Sequence, residues 1–392
     1  MKPSAPRRAL AVGSALTVAA LTVLLGGCSS TNSSGTTSTS SSADIAVGKV
    51  GTVDEFADIS SICPKDGQIT LGVVDGYGTN SWSKTVRAEI ESEAAKCPAI
   101  TSVDYEAGRG DLQATTAAIT SMAAKGTDIV LVIPDAGPGE AHLSALRGAV
   151  QSGSTVVAFA SDPQGTAGTD YLDYADWSPQ FSGSTWAQWV VDQLGEKGGN
   201  VVFLGGPAGS AVSSQELEGI KEVFAKNPQI TLLTQDPVTT NWDPAQAQQA
   251  MSGLLSQYPK IDAVISDYGA STDGVIRAYQ AAGIPLPPIA TTDQNSLSCG
   301  FEALKAANPS YELATVSSRT WVGRVALRKA LASISGTSDT EPSIYDLSLA
   351  EDSSGKTQGA KNPSDVCQSG APDDGSPSSL LTPDEIEKAF AN

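Results

Sequence analysis

Short, mostly apolar runs alternate along this chain with longer stretches in which apolar positions recur every three or four residues. Residues 69–74 (ITLGVV) read as a buried strand. Helical spacing follows in 81–97, where Trp82, Val86, Ile90 and Ala94 form one stripe. A second strand is expected at 100–105. The next helix runs between Asp111, a good N-cap, and Gly126, a good stop. Strand 128–134, helix 139–153 and strand 154–160 complete a first series. A second begins at 200–206 (NVVFLGG), with further strands at 230–235, 262–267, 287–293 and 311–318. Its helices are expected at 213–228, 243–259, 271–283 and 297–309. The stretch 321–336 closes the helical series, and 382–390 (TPDEIEKAF) is expected as a short terminal helix with Pro383 in its first turn.

Apolar strands alternating with amphipathic helices imply parallel sheets covered on both faces. The two series predict an α/β protein of two Rossmann-like lobes with parallel sheets, joined by a multi-strand hinge. A ligand cleft would lie where the carboxyl ends of the strands face each other.

The N-terminus changes the picture. A basic start with Lys2, Arg7 and Arg8 precedes an apolar segment, as in a secretory signal peptide. The segment ends in Leu25-Gly26-Gly27-Cys28, which resembles a bacterial lipobox. Its cysteine is cut free and receives lipid. A Ser/Thr-rich tract follows with almost nothing to bury. The expected organisation is a signal peptide at 1–27, a tether at 28–62, one lobe from 63–175 plus 319–345, and the other from 176–318 plus 346–392. Signal removal takes the formal charge from -19 to -22 by the loss of three cations. That disfavours nucleic acid as a partner.

Cys63, Cys97, Cys299 and Cys367 remain after Cys28, an even count that suggests two disulfides with three possible connectivities. A helix returns antiparallel to the strand before it, so Cys97 is expected beside Cys63, just before the first strand. Cys299 and Cys367 would then pair and hold the irregular tail. No C-x-x-C occurs, and neither a metal nor a cofactor is expected.

Several segments resemble the type I periplasmic binding proteins of the ribose-binding group, the sugar-capturing components of ABC importers. These are residues 69–94 (ITLGVVDGYGTNSWSKTVRAEIESEA), MAAKGTDIVLVIP, STVVAFASD, the Gly-rich turn and helix at 200–224, and YPKIDAVISDYGASTDGVIRAYQAAG with PPIATTDQ. The resemblance implies a monomeric, non-enzymatic, extracytoplasmic receptor. It would be anchored to the bacterial cell membrane through Cys28 and deliver a sugar or polyol to an ABC permease. The chain departs from ribose binders at Ser161-Asp162, Ser213-Ser214-Gln215-Glu216, Asp267-Tyr268 and Ser318, so ribose itself is not the expected ligand. Two alternatives share some of these features: a small-molecule receptor feeding a sensor kinase, and a cell-surface glycosidase. The export signal and the lack of a helix-turn-helix exclude a repressor.

Carboxylates and amides hold adjacent hydroxyls, and aromatic rings cover sugar faces. The candidates just after strand ends are Tyr77, Asn80, Trp82, Asp135, Asp162 and Trp177 in the first lobe. Trp242, Asp267, Tyr268 and Asp293 follow in the second, with Arg319 near the last crossover. Asp75, Asp176, Asn241, Ser318 and Trp321 neighbour them. Asp293 is the leading polar candidate. Trp82 also continues the apolar stripe of its helix. Asp162 precedes Pro163 and suits a turn. Arg319 suits either a pocket carboxylate or the hinge. Trp186 and Trp189 are expected in core or surface. His142, the only histidine, is expected on a helix flank or the surface rather than in chemistry.

Overall fold

The computed structural model describes residues 45–391. The signal peptide, Cys28 and the start of the tether lie outside the described residues. The first series comprises β1 (Val50–Gly51), α1 (Ile59–Ile62), β2 (Ile69–Asp75), α2 (Ser81–Ala94), β3 (Ile100–Ala107), α3 (Leu112–Ala124), β4 (Ile129–Ile133), α4 (Leu143–Gln151), β5 (Thr155–Phe159) and β6 (Asp173–Trp177). The second comprises α5 (Pro179–Leu194), β7 (Gly199–Gly205), α6 (Ala211–Ala225), β8 (Ile230–Leu232), β9 (Val238–Thr239), α7 (Pro244–Gln257), β10 (Ala263–Ser266), α8 (Gly269–Ala282), β11 (Ile289–Thr292), α9 (Asn295–Ala307) and β12 (Leu313–Val316). Then follow α10 (Val322–Ser335), β13 (Ile344–Tyr345), β14 (Glu351–Asp352), α11 (Pro363–Val366) and α12 (Pro383–Phe390).

One sheet has the order β1-β13-β6-β5-β4-β2-β3. The other runs β14-β12-β11-β10-β7-β8, with β9 also on β7. The first is parallel throughout, and the second is parallel except for β14. Every residue of β4 and of β10 is buried, as helices on both faces require. The chain passes between the sheets after Trp177, after Val316 and after Tyr345, and these three passages form the hinge. β6 belongs entirely to the first sheet.

Both ends differ from expectation. The tether was expected to run to residue 62, yet 45–62 is part of the first lobe. Its apolar side chains are the reason: β1 pairs with β13, Ile59 and Ile62 are buried, and Phe56 packs its ring 5.0 Å from Trp321 and 5.7 Å from Tyr345. The tail was expected in the second lobe alone, but it straps both. Disulfide Cys299–Cys367 holds it to α9. Ser379 Oγ and Leu380 N then donate to Glu89 on α2 at 3.0 and 2.8 Å, and α12 packs on α2. The second disulfide joins Cys63 to Cys97.

α10 is buried along most of its length, including Arg324, Arg328 and Lys329. It lies against α1, α2 and strands β5 and β6, so its cations cannot reach water and meet acids instead. Arg324 pairs with Glu89 and Glu93, and Arg328 with Glu93 and Glu341. His142 is also buried rather than on the surface. Burial lowers its pKa, and Nδ1 lies 3.2 Å from the Gly139 carbonyl.

Candidate ligand-binding cleft

Strand order decides which strand ends meet a ligand. β2 lies between β3 and β4 in one sheet, and β7 lies between β8 and β10 in the other. The crossovers therefore leave in opposite directions at β2/β4 and at β7/β10, and the crevice opens there. Asp75, Gly76 and Asp135 stand at the first crevice. Gly206, Asp267 and Tyr268 stand at the second.

The two crevices face one small cavity between the lobes, the usual kind of place for a small-molecule site. From the first lobe, Asn80, Trp82 and Asp135 line it. Trp242, Asp267 and Tyr268 line it from the second, and Arg319 from the hinge. The lobes touch around it: the rings of Tyr77 and Trp242 meet edge-on at 5.5 Å, and the hydroxyls of Ser81 and Tyr268 lie 3.2 Å apart. Trp82 Nε1 donates to the Ser318 carbonyl at 2.7 Å, so an indole expected as either core or cleft serves as a wall with its edge tied to the hinge.

The carboxylates are set for different tasks. Asp75 accepts from Tyr77 N at 3.0 Å and the Tyr105 hydroxyl at 2.9 Å, so its work is structural. Asp135 Oδ1 is buried with no hydrogen-bond partner. Burial, with the Asp75 charge behind it, holds its pKa well above the usual carboxylate range. A Cβ on Gly76 would lie 2.0 Å from that oxygen, so only glycine admits Asp135 here.

Across the cavity, Asp267 Oδ2 accepts from Ser213 Oγ at 2.6 Å and Trp242 Nε1 at 3.2 Å, while Oδ1 is unpartnered. Burial pushes its pKa up to about 6, against the lowering effect of those donors. The folded state therefore binds this proton more tightly than the unfolded state, so ionising Asp267 destabilises the fold as pH rises from about 4 to about 6. Asp267→Asn avoids that cost. Its stability advantage over the wild type should shrink as pH falls from above 6 to below 4, which chemical denaturation at several pH values measures.

Arg319 lies at φ 54°, a strained region for a non-glycine residue. Its Nε donates to Asp176 at 2.8 Å and its Nη2 to the Ala160 carbonyl at 3.2 Å. The guanidinium stacks 4.3 Å from Trp177 and 5.5 Å from Trp82. Arg319 thus both bridges the hinge and lines the cavity. Asn241 and Trp242 are likewise left-handed, at φ 53° and 52°, and this turn aims the Trp242 indole inward. A Cβ on Gly206 would lie 2.2 Å from that indole. Gly206→Ala should therefore displace Trp242 and weaken ligand binding about tenfold or more, with far-UV circular dichroism unchanged; calorimetry checks it.

Three candidates stand elsewhere. Asp293 follows β11, away from the crevice, and holds the tail: it accepts from Ser318 N, from Ser376 Oγ at 3.0 Å and from Ser378 N at 2.7 Å. Asp162 ends the β5 segment and closes a turn on Gln164 N at 2.7 Å; across the lobes, Gln215 Nε2 is 3.5 Å away. Trp177 is buried beneath Arg319 rather than in the cavity wall. Tyr77 supports Trp242 from the rim. The apolar wall residues Ile133, Ala160 and Val212 carry no polar signal and were not anticipated. Gly76 and Gly206 were legible only as glycines directly after strands.

A sequence model described as a periplasmic binding protein domain matches residues 71–338, more than half of the chain. The chain belongs to the periplasmic binding protein family. This binding protein is 33% identical over 128 residues to a xylitol-binding protein of Mycolicibacterium smegmatis, covering 32% of this chain and 35% of that one. It is 32% identical over 101 residues to the D-allose-binding periplasmic protein of Escherichia coli, covering 26% and 32%. The matched segments span about a third of those relatives, which are named as binding proteins and not as enzymes. Two solved structures share its two-lobed α/β fold. One is a Mycobacterium smegmatis solute-binding protein with glycerol (TM-score 0.64, 19% identity, 77% of this chain and 98% of that one). The other is the Caulobacter myo-inositol binding protein (TM-score 0.61, 21% identity, 73% and 93%).

Proposed function

We propose that this periplasmic binding protein captures a sugar or polyol between its lobes and presents it to an ABC permease, held at the extracytoplasmic face of the membrane by lipid on Cys28. One observation carries the reading. Two carboxylates, Asp135 and Asp267, line one cavity from opposite lobes together with the indoles of Trp82 and Trp242, and each has a buried oxygen with no hydrogen-bond partner. Unpartnered buried acceptors are costly, and ligand hydroxyls satisfy them. Indole faces cover the C–H faces of a ring or chain. The names of the relatives, xylitol- and D-allose-binding, support the same class.

Binding needs no chemistry from these residues. A ligand touching both lobes favours the closed form by its differential affinity, and that form is the one a permease would distinguish. Thermal-shift screening with pentoses, hexoses and polyols tests the reading. A stabilising ligand whose effect is lost in Trp242→Ala supports it, and a panel without one contradicts it. Anchoring is tested separately. Intact mass of the protein from its own membranes should show a mature chain starting at a lipid-modified Cys28, and Cys28→Ala should release it unanchored; an unmodified Cys28 would remove the anchor from the account.

A further inference from the structure

The charges around the cavity do not balance. Asp135 and Asp267 form part of its wall. Asp75 lies fully buried behind the first, beside the same crevice. Glu216 of α6 is fully buried, neither of its oxygens has a partner, and it is close enough to Asp267 for their charges to interact. Among the described wall residues the one cation is Arg319, and Asp176 neutralises it at 2.8 Å. The closed site therefore holds an excess of buried carboxylate with no protein cation assigned to it. Carboxylates in such a place must be protonated or be matched by a cation.

We propose that the ligand is a hydroxylated amine, an amino sugar or aminated polyol, whose ammonium group lies against the unpartnered oxygens of Asp267 and Asp135. The proposal rests on the reading of this cavity as a polyol site and narrows it. An ammonium brings three donors and a full charge, so it satisfies several acceptors at once, through hydrogen bonds stronger than neutral hydroxyls make. The indoles of Trp82 and Trp242 suit it further, because the face of an indole attracts cations. With its pKa at about 6, Asp267 is largely ionised at neutral pH, so its charge is available to such a ligand. The negative charge of Asp267 repels acidic sugars.

The test is calorimetry of the mature soluble chain at neutral pH with matched pairs: D-glucosamine and D-glucose, D-galactosamine and D-galactose, 1-amino-1-deoxy-D-sorbitol and D-sorbitol, with D-glucuronate as the acidic probe. At least one amine is expected to bind ten times or more tighter than its neutral partner, with no glucuronate binding. Asp267→Asn should reduce that ratio to near one. Asp135→Asn is the second variant should the first fail to fold, and added salt should reduce the ratio in the wild type. Neutral sugars or polyols binding as tightly as their amines would overturn the proposal and leave the polyol reading standing. If no member of any pair binds, the polyol reading fails and this proposal fails with it.

Discussion

Replacing Arg328 with alanine is expected to lower the unfolding free energy by about 3–5 kcal/mol, because it strands a buried carboxylate. Arg328 Nη1 meets Glu93 at 2.8 Å, and its Nε and Nη2 grip Glu341 at 2.8 and 2.5 Å. Glu93 keeps Arg324, at 2.9 Å, as a second partner. Glu341 has no second arginine: Lys329 donates to its backbone carbonyl, not to its carboxylate. Glu341 is only 3% exposed, so water does not replace the lost cation. The loss is therefore centred on Glu341, and Glu341→Gln in the Arg328→Ala background should restore part of it. Urea unfolding of the three proteins measures this. A loss below about 1 kcal/mol in Arg328→Ala would mean that the cluster is more hydrated than its burial implies.

The largest effect on binding is expected from Asp267→Ala. It removes a charge-assisted hydrogen bond to the ligand and releases the indole of Trp242, which Asp267 holds at 3.2 Å. Loss of such a bond costs about 1.5–3 kcal/mol, or roughly 10- to 150-fold in affinity. Stability should respond differently from the Arg328 case. The buried charge of Asp267 is itself unfavourable, so its removal offsets the bonds lost from Ser213 and Trp242. The melting temperature should move little while the affinity collapses. A calorimetric titration together with a melting curve separates the two effects. Unchanged affinity for a proven ligand would remove Asp267 from the site.

The alternation of apolar runs and amphipathic stretches was enough to read β2 to β5, β7, β8 and β10 to β12, whereas the short strands β1, β6, β9, β13 and β14 were not anticipated. Asp135 and Asp267 were legible because each follows an apolar strand. Asp293 has the same local signature and a different role. What separates them is strand order: β4 and β10 border the crevices, whereas β11 does not. Order in a sheet is set by crossovers that no local pattern records. Trp177 is the last residue of β6, yet it lies under Arg319 in the hinge. The route of the tail was also illegible. Its anchors, Asp293 and Glu89, are single acids in different lobes, and nothing in the Gly/Ser/Pro-rich segment announces which it will meet. The buried cations of α10 look, in sequence, like an exposed charged face. Only the packing of α1 and α2 around that helix makes them internal.

The central claim is that a hydroxylated ligand sits between the lobes on Asp135 and Asp267. The most direct measurement is a crystal structure of the protein with the compound that stabilises it most in thermal-shift screening. Electron density for that compound is predicted between the indoles of Trp82 and Trp242, with donor groups of the ligand within hydrogen-bond distance of Asp135 Oδ1 and Asp267 Oδ1. Density outside this cavity, or a ligand here that leaves both oxygens unpartnered, would contradict the account.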